Sequence, residues 1–303
     1  MKILHIGLCV DGKNEGLPFA LKEASSHYVE ISTGDKALES KISEAIFKWN
    51  FDLAFFQVQS PGIVQPFMFE KIKETGTFTV NWSGDCRKDT PEWYFKTNAD
   101  LTLFTNTKDV EALRKRGLKS DFLQIGIDPK VFKIHGQKRN KEQVVFMGNE
   151  YGGQFPLGGE RTHLANTLVN HGFSVYGSYR GSKGNLNGNQ LEESIVYNNS
   201  DIGINHSHFN EDRYTSDRMF RILASGAMCL SHHYPGIEKD FEVGKHLDTY
   251  KDVRGMMNKI THYLGNPTQR EQIAINGYNH CHSTFTYKQM IENLIELYKK
   301  YKS

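Results

Sequence analysis

No apolar run in the 303-residue sequence approaches the roughly 18 residues of a membrane-spanning helix. Its four cysteines, Cys9, Cys86, Cys229 and Cys281, lie far apart and form no Cys-x-x-Cys pair. That argues against both a disulfide framework and a zinc knuckle. The formal charge of +2 is too small to require a nucleic-acid or membrane partner, although it leaves room for a local basic surface. No repeat of short period is present, and the opening Met-Lys-Ile-Leu-His-Ile-Gly reads as a strand without a signal-peptide pattern. A cytoplasmic protein with reduced cysteines is the expectation.

The composition, 38% hydrophobic and 12% aromatic, is that of a folded chain, and its length suits two domains, each with its own core. Short β-like runs alternate with helical stretches through the first half. Lys2–Leu8 reads as a strand that ends in the polar turn Asp11-Gly12-Lys13-Asn14-Glu15-Gly16. Leu38, Ile42, Ala45, Ile46 and Trp49 repeat with a helical period. Asp52–Val58 is a nearly continuous apolar run, the pattern of a strand buried on both faces. Helix Phe67–Lys73, strands Phe78–Trp82 and Leu101–Thr105, and a helix Val110–Arg116 stopped by Gly117 follow. This alternation implies right-handed βαβ units and a parallel sheet.

The segment Lys130–Lys141 holds five Lys or Arg and no acid, which suits an exposed interdomain linker. Beyond it the alternation restarts with strand Gln143–Met147, the Gly-rich loop Gly148–Gly159, a helix over Arg161–His171 and strand Ser174–Tyr176. A polar loop with Gly177, Gly181, Gly184 and Gly188 leads to strand Asp201–Asn205, then a helix near Asp217, strand Met228–Ser231 and a helix near Val253–Leu264. A terminal amphipathic helix carries Met290, Leu294, Leu297, Tyr298 and Tyr301 on one stripe. The predicted architecture is α/β, with two Rossmann-like domains facing a cleft and ligands bound at the carboxyl ends of the strands. The expected divisions are 1–135, 136–285 and a separate C-terminal helix over 286–303.

The run Asp217-Arg218-Met219-Phe220-Arg221-Ile222-Leu223-Ala224-Ser225-Gly226-Ala227 carries most of the chemistry. Thr215, Ser216 and Asp217 are capping residue types, so a helix should begin there. Arg218 and Arg221 then share one face of its opening turns, at the positive end of the helix dipole. Either an anion such as phosphate compensates them, or a local acid such as Asp212 or Asp217 does. His206, His208 and His232-His233 lack an accompanying carboxylate pattern and read as ordinary polar residues, so no metal site is assigned. His206 directly follows a strand and can still line the cleft. The loop Gly152-Gly153-Gln-Phe-Pro-Leu-Gly158-Gly159 lacks Gly-Lys-Ser/Thr and is not a Walker sequence.

The text Tyr197-Asn-Asn-Ser-Asp-Ile-Gly-Ile-Asn205, the arginine helix, Pro235-Gly-Ile-Glu-Lys-Asp-Phe-Glu-Val-Gly-Lys245, Tyr263-Leu-Gly-Asn-Pro267 and Arg270-Glu-Gln-Ile-Ala-Ile-Asn-Gly277 resembles the GT-B glycosyltransferases. The similarity points to the spore-maturation-type branch, related to the retaining group 1 enzymes. Asn81-Trp-Ser-Gly-Asp85, Asp100-Leu-Thr-Leu-Phe-Thr-Asn106 and Gly126-Ile-Asp-Pro-Lys-Val-Phe132 extend it into the first half. Order and spacing carry the signal, since no single piece is diagnostic.

The resemblance implies sugar transfer from a nucleotide-sugar donor, UDP-linked, held by the C-terminal domain, to a hydroxyl acceptor held by the N-terminal one. Glycans, protein side chains and a hydroxymethylated DNA base are all open as acceptors. The chain has no Asp-x-Asp metal motif, so a metal-independent enzyme without a cofactor is expected. The diphosphate would then fall to Arg218, Arg161 and the amides of the Gly148-Asn149 turn, with a solvated first-turn role as the alternative for Arg161. The Gly152–Gly159 loop becomes either a cover for the donor or a plain surface loop. His206, Arg221, Gly236, Ile237 and Glu238 complete the expected donor site. Arg221 stands where group 1 relatives usually carry a ribose-binding glutamate, and an arginine cannot accept those hydrogen bonds. The ribose is therefore held elsewhere, with Glu238 as candidate, or the donor differs, or donor binding has been lost. Asp85 is the expected catalytic base if configuration inverts, and a positioning or turn residue paired with Arg87 otherwise. An epimerase or hydrolase, and a non-catalytic nucleotide-sugar-binding protein, are the competing readings.

Overall fold

The computed structural model describes residues 1–8, 16–136, 142–186 and 188–302. The expected turn at Asp11–Glu15 and the linker's residues 137–141 lie outside them. By contacts the chain divides into one unit of residues 1–126 with 287–303 and another of residues 127–286.

The first unit runs β1 (Lys2–Gly7), α1 (Gly16–Glu23), β2 (His27–Ser32), α2 (Leu38–Lys48), β3 (Leu53–Phe56), α3 (Pro66–Lys73), β4 (Phe78–Ser83), β5 (Leu101–Phe104), α4 (Thr107–Lys115) and β6 (Ser120–Phe122). Its strands form a sheet of order β2-β1-β3-β4-β5-β6, every pairing parallel. The apolar run at Leu53-Ala-Phe-Phe56 is fully buried, because helices cover both faces of a central parallel strand. Helix α4 starts at Asn106, whose side chain accepts from the Asp109 amide and satisfies a donor the first turn leaves open.

The second unit continues with β7 (Glu142–Met147), α5 (Gly158–Asn170), β8 (Ser174–Tyr176), α6 (Gln190–Asn198), β9 (Ser200–Asn205), α7 (Asp217–Ala224), β10 (Met228–His232), β11 (Asp248–Tyr250), α8 (Val253–Gly265) and α9 (Pro267–Thr284). The sheet order is β11-β10-β9-β7-β8, again wholly parallel. Its core packs Val144, Phe146, Ile202 and Ile204 of the sheet against Leu164 and Leu168 of α5 and Ile260 of α8.

Two boundaries differ from those expected. The final helix, α10 (Tyr287–Lys302), is not a segment apart: Met290, Ile291 and Leu294 enter the first unit's core with Ile3, Leu17, Phe55 and Val80. The described part of the basic run, residues 130–136, also belongs to the second unit. Phe132 is buried there, and His135 Nε2 hydrogen-bonds Ser194 Oγ at 2.9 Å. The cluster of lysines marked a solvated backbone stretch, whereas burial of Phe132 decides which unit owns it.

Candidate functional site

The second sheet reverses its strand order between β7 and β9, so their carboxyl ends form a switch point where neighbouring connections diverge. Met147-Gly148 and Asn205-His206 sit there. Asn205 Nδ2 donates to Thr215 Oγ1 at 3.0 Å and Ser231 Oγ at 2.9 Å, which ties β9 to β10 and to the approach of α7. Ser216 occupies the N-cap position of α7 but makes no capping bond; its hydroxyl donates to Asn205 Oδ1 at 3.0 Å.

Arg218 and Arg161 meet at this point. Arg218 donates through Nε to the Met147 carbonyl and through Nη1 to Ser216 Oγ at 2.9 Å and the His206 carbonyl at 3.3 Å. Arg161, in α5, is only 1% exposed and donates from Nη1 to that same carbonyl at 2.6 Å. The solvated alternative for Arg161 is thereby ruled out. Both guanidinium groups lie over the Phe146 ring, at 5.4 and 5.3 Å from its centroid. Among the described residues neither forms an ion pair with a carboxylate. Burial, and next the charge of Arg218, push Arg161 down to about 10.

Two glycines permit this convergence. A Cβ at Gly148 would lie 2.5 Å from Arg161 Nη2 and 3.1 Å from Arg218 Nη2. At Gly177, with φ of 127°, a Cβ would strike the Gly148 carbonyl oxygen at 1.8 Å.

A cavity of ≈ 200 Å³ opens here, with Gly148, Asn149, Tyr176 and Arg218 among its lining residues. Glu193, Tyr197, Asp217 and Arg221 also line it. Arg221 is not free for an anion: it bonds Glu193 Oε2 through Nη1 and Asp217 Oδ2 through Nη2, both at 2.5 Å. Burial alone would depress its pKa, but Asp217 and Glu193 outweigh that and hold it above the ordinary value. Of the two expected arginines, Arg218 lines the cavity without a carboxylate partner among the described residues, and the local-acid alternative describes Arg221; Arg161 and His206 lie behind Arg218 and do not line it.

The other expected residues are dispersed. Gly236, Ile237 and Glu238 do not line this cavity; Ile237 is buried and Glu238 sits 3.5 Å from His233. In the first unit, Asp85 lies beyond β4, half-buried, and pairs with Arg87 at 2.9 Å. His206 is wholly buried, its Nδ1 3.0 Å from the Tyr250 hydroxyl. Glu160 and His232 gather around it: Glu160 Oε1 is 3.9 Å from His206 Nε2 and 3.7 Å from His232 Nε2. His232 carries no assigned role from sequence, and no local pattern marks Glu160, which precedes Arg161. Nothing in the sequence marks Tyr250.

Residues 147–296 match the family profile described as glycosyl transferase-like. No curated protein matches the sequence. Among solved structures, the fold is similar to a glycosyltransferase from Rickettsia africae (TM-score 0.70, 12% identity, 99% of this chain and 98% of that one). It is also similar to HepE from Anabaena in complex with UDP-glucose (TM-score 0.69, 11% identity, 99% and 100%). Sucrose-phosphate synthase from Thermosynechococcus elongatus is a third such structure (TM-score 0.66, 10% identity, 99% and 99%). At these identities the likeness establishes the fold.

Proposed function

Starting from a chain with a glycosyl transferase-like domain and the two parallel α/β units of the GT-B fold, we propose that it transfers a sugar from a UDP-linked donor to a hydroxyl acceptor. The observation that carries this reading is the pair of guanidinium groups, Arg161 and Arg218, brought together at Gly148 without a carboxylate between them. Like charges this close, with Arg161 buried and Arg218 half-buried, are unfavourable until an anion joins them. A diphosphate, with about two negative charges, compensates both at the amino end of α7. The UDP-glucose complex of HepE supports a uridine nucleotide.

During transfer the bond from the anomeric carbon to the β-phosphate oxygen breaks, and charge grows on that oxygen. Groups already aimed at it stabilise the transition state more than the ground state. Arg218 and Arg161 take that role, with the Asn149 amide, since the Gly148 amide already donates to the Tyr176 carbonyl at 2.9 Å, so the diphosphate charge does not depend on a metal. The missing glutamate at position 221 is offset by Glu193 and Asp217, which line the cavity and offer the acceptor oxygens that ribose hydroxyls need. Arg221 braces those two carboxylates.

UDP at millimolar concentration should raise the melting temperature without added metal, as ligand binding to the folded state requires. No stabilisation by any nucleoside diphosphate or nucleotide sugar would overturn the donor assignment. A mass-spectrometric screen of UDP-sugars against glycan, protein and hydroxymethylated-DNA acceptors identifies the second substrate. Steep weakening of binding with salt would mark the DNA case, through counterion release.

A further inference from the structure

The cluster beside the arginine pair has the donor chemistry of a metal site. The Tyr250 hydroxyl donates its single proton to the Asn205 carbonyl at 3.1 Å, an atom that can only accept. Its 3.0 Å contact with His206 Nδ1 must therefore be a hydrogen bond given by the imidazole. That fixes the tautomer: Nδ1 carries the hydrogen, and Nε2 presents a bare lone pair. Nε2 is buried and has no hydrogen-bond partner, within a residue 0% exposed. An orphaned lone pair of this kind is costly unless something electron-accepting meets it.

Two further donors face the same point. His232 ends β10, the strand paired with β9, so its imidazole stands beside His206 with ring centroids 4.5 Å apart. Glu160 comes from the first turn of α5. One ligand atom from each, a nitrogen from either ring and a carboxylate oxygen, lie within 4.8 Å of one another. The His206 imidazole is also steadied from behind by Tyr250. Metal-bound histidines are held in this way, the far nitrogen fixing ring orientation.

We propose that Glu160, His206 and His232 bind a divalent transition-metal ion of the zinc type. Two imidazole nitrogens and one carboxylate oxygen suit such an ion, and three protein ligands leave a position open. The guanidinium groups of Arg161 and Arg218 oppose added positive charge nearby. Glu160 supplies the compensating negative charge, so it is the ligand whose loss should weaken binding most. The site adjoins the arginine pair, whose guanidinium groups bond the His206 carbonyl, whereas the metal meets the His206 ring nitrogen.

The test uses the intact protein without nucleotide, so its outcome is independent of the donor assignment. Calorimetric titration with Zn²⁺ should give one tight equivalent, and Co²⁺ should give the visible d–d absorption of a low-coordinate nitrogen/oxygen site. Glu160→Gln, isosteric and partly exposed, should lower affinity by at least about 100-fold, and Tyr250→Phe by about tenfold, the range typical of groups that orient a ligand. Circular dichroism and unchanged melting of metal-free Glu160→Gln show that the fold is intact. The proposal is overturned if no stoichiometric Zn²⁺ or Co²⁺ binding occurs. Binding that Glu160→Gln and His232→Gln leave unchanged also overturns it, since surface histidines then hold the metal.

Discussion

A methyl group at Gly148 would lie 2.5 Å from Nη2 of Arg161, which packs a bare backbone against a buried guanidinium. Gly148→Ala must push Arg161 and Arg218 apart. We expect UDP affinity to fall by about ten- to a hundredfold, since each charge-assisted contact contributes on the order of 1.5–3 kcal/mol. Calorimetric titration checks this.

Arg161 and Arg218 should separate ligand binding from stability. Arg218→Ala removes a contact to the growing phosphate charge and should slow turnover by about 10²–10³, with little change in melting. Arg161→Met also removes an unpaired buried charge, so the ligand-free protein should lose less than about 2 kcal/mol while the UDP-dependent rise in melting temperature disappears. A large loss of ligand-free stability with the UDP response retained would place Arg161 in the scaffold.

How far these residues could be read from sequence depended on their neighbours. The continuous apolar run around Leu53–Phe56 announces a buried strand, and the capping residues before Asp217 announce α7, because both signals are local. The partnership of Glu160, His206 and His232 comes from three separate elements and has no local signature. Tyr250 lies on a strand of three residues, too short to declare a period. Strand β2 was likewise silent, since most of its residues are only half-buried and its pattern does not alternate. Arg221 was conspicuous, yet its pairing with Glu193 depends on how α6 packs beside α7.

Arg221→Ala would leave Glu193 and Asp217 facing each other without their bridge. Stability should drop by about 2 kcal/mol, below the cost of breaking a fully buried pair because these side chains keep some water. Arg221→Lys should recover only part, as an ammonium cannot span both carboxylates with a planar fork. Urea midpoints measure both.

Asp85→Asn tests the catalytic expectation. A half-buried carboxylate already paired with Arg87 resembles a turn residue, so turnover should fall by less than tenfold, against about 10²-fold or more for a general base. Initial rates at saturating donor decide between them.

His5 predicts a pH response in the first unit. Burial lowers its pKa below the usual 6.5, against weaker opposing effects of Gln57 and Glu30. Between the two values the unfolded chain binds a proton that the folded one refuses, so stability falls as pH drops below 6.5 and is restored above it. The slope should reach at most about 1.4 kcal/mol per pH unit. His5→Gln should flatten the difference between denaturation midpoints at pH 5 and pH 7.

The return of α10 to the first unit has a consequence for the order of assembly during synthesis. Residues 127–286 form a contiguous unit, complete in sequence before Met290, Ile291 and Leu294 are made. The earlier-translated sheet must wait for those three side chains to close its core, so on the ribosome the second unit can mature before the first. Residues 1–126 expressed alone would keep that apolar face uncovered, whereas 127–286 carries its own core intact.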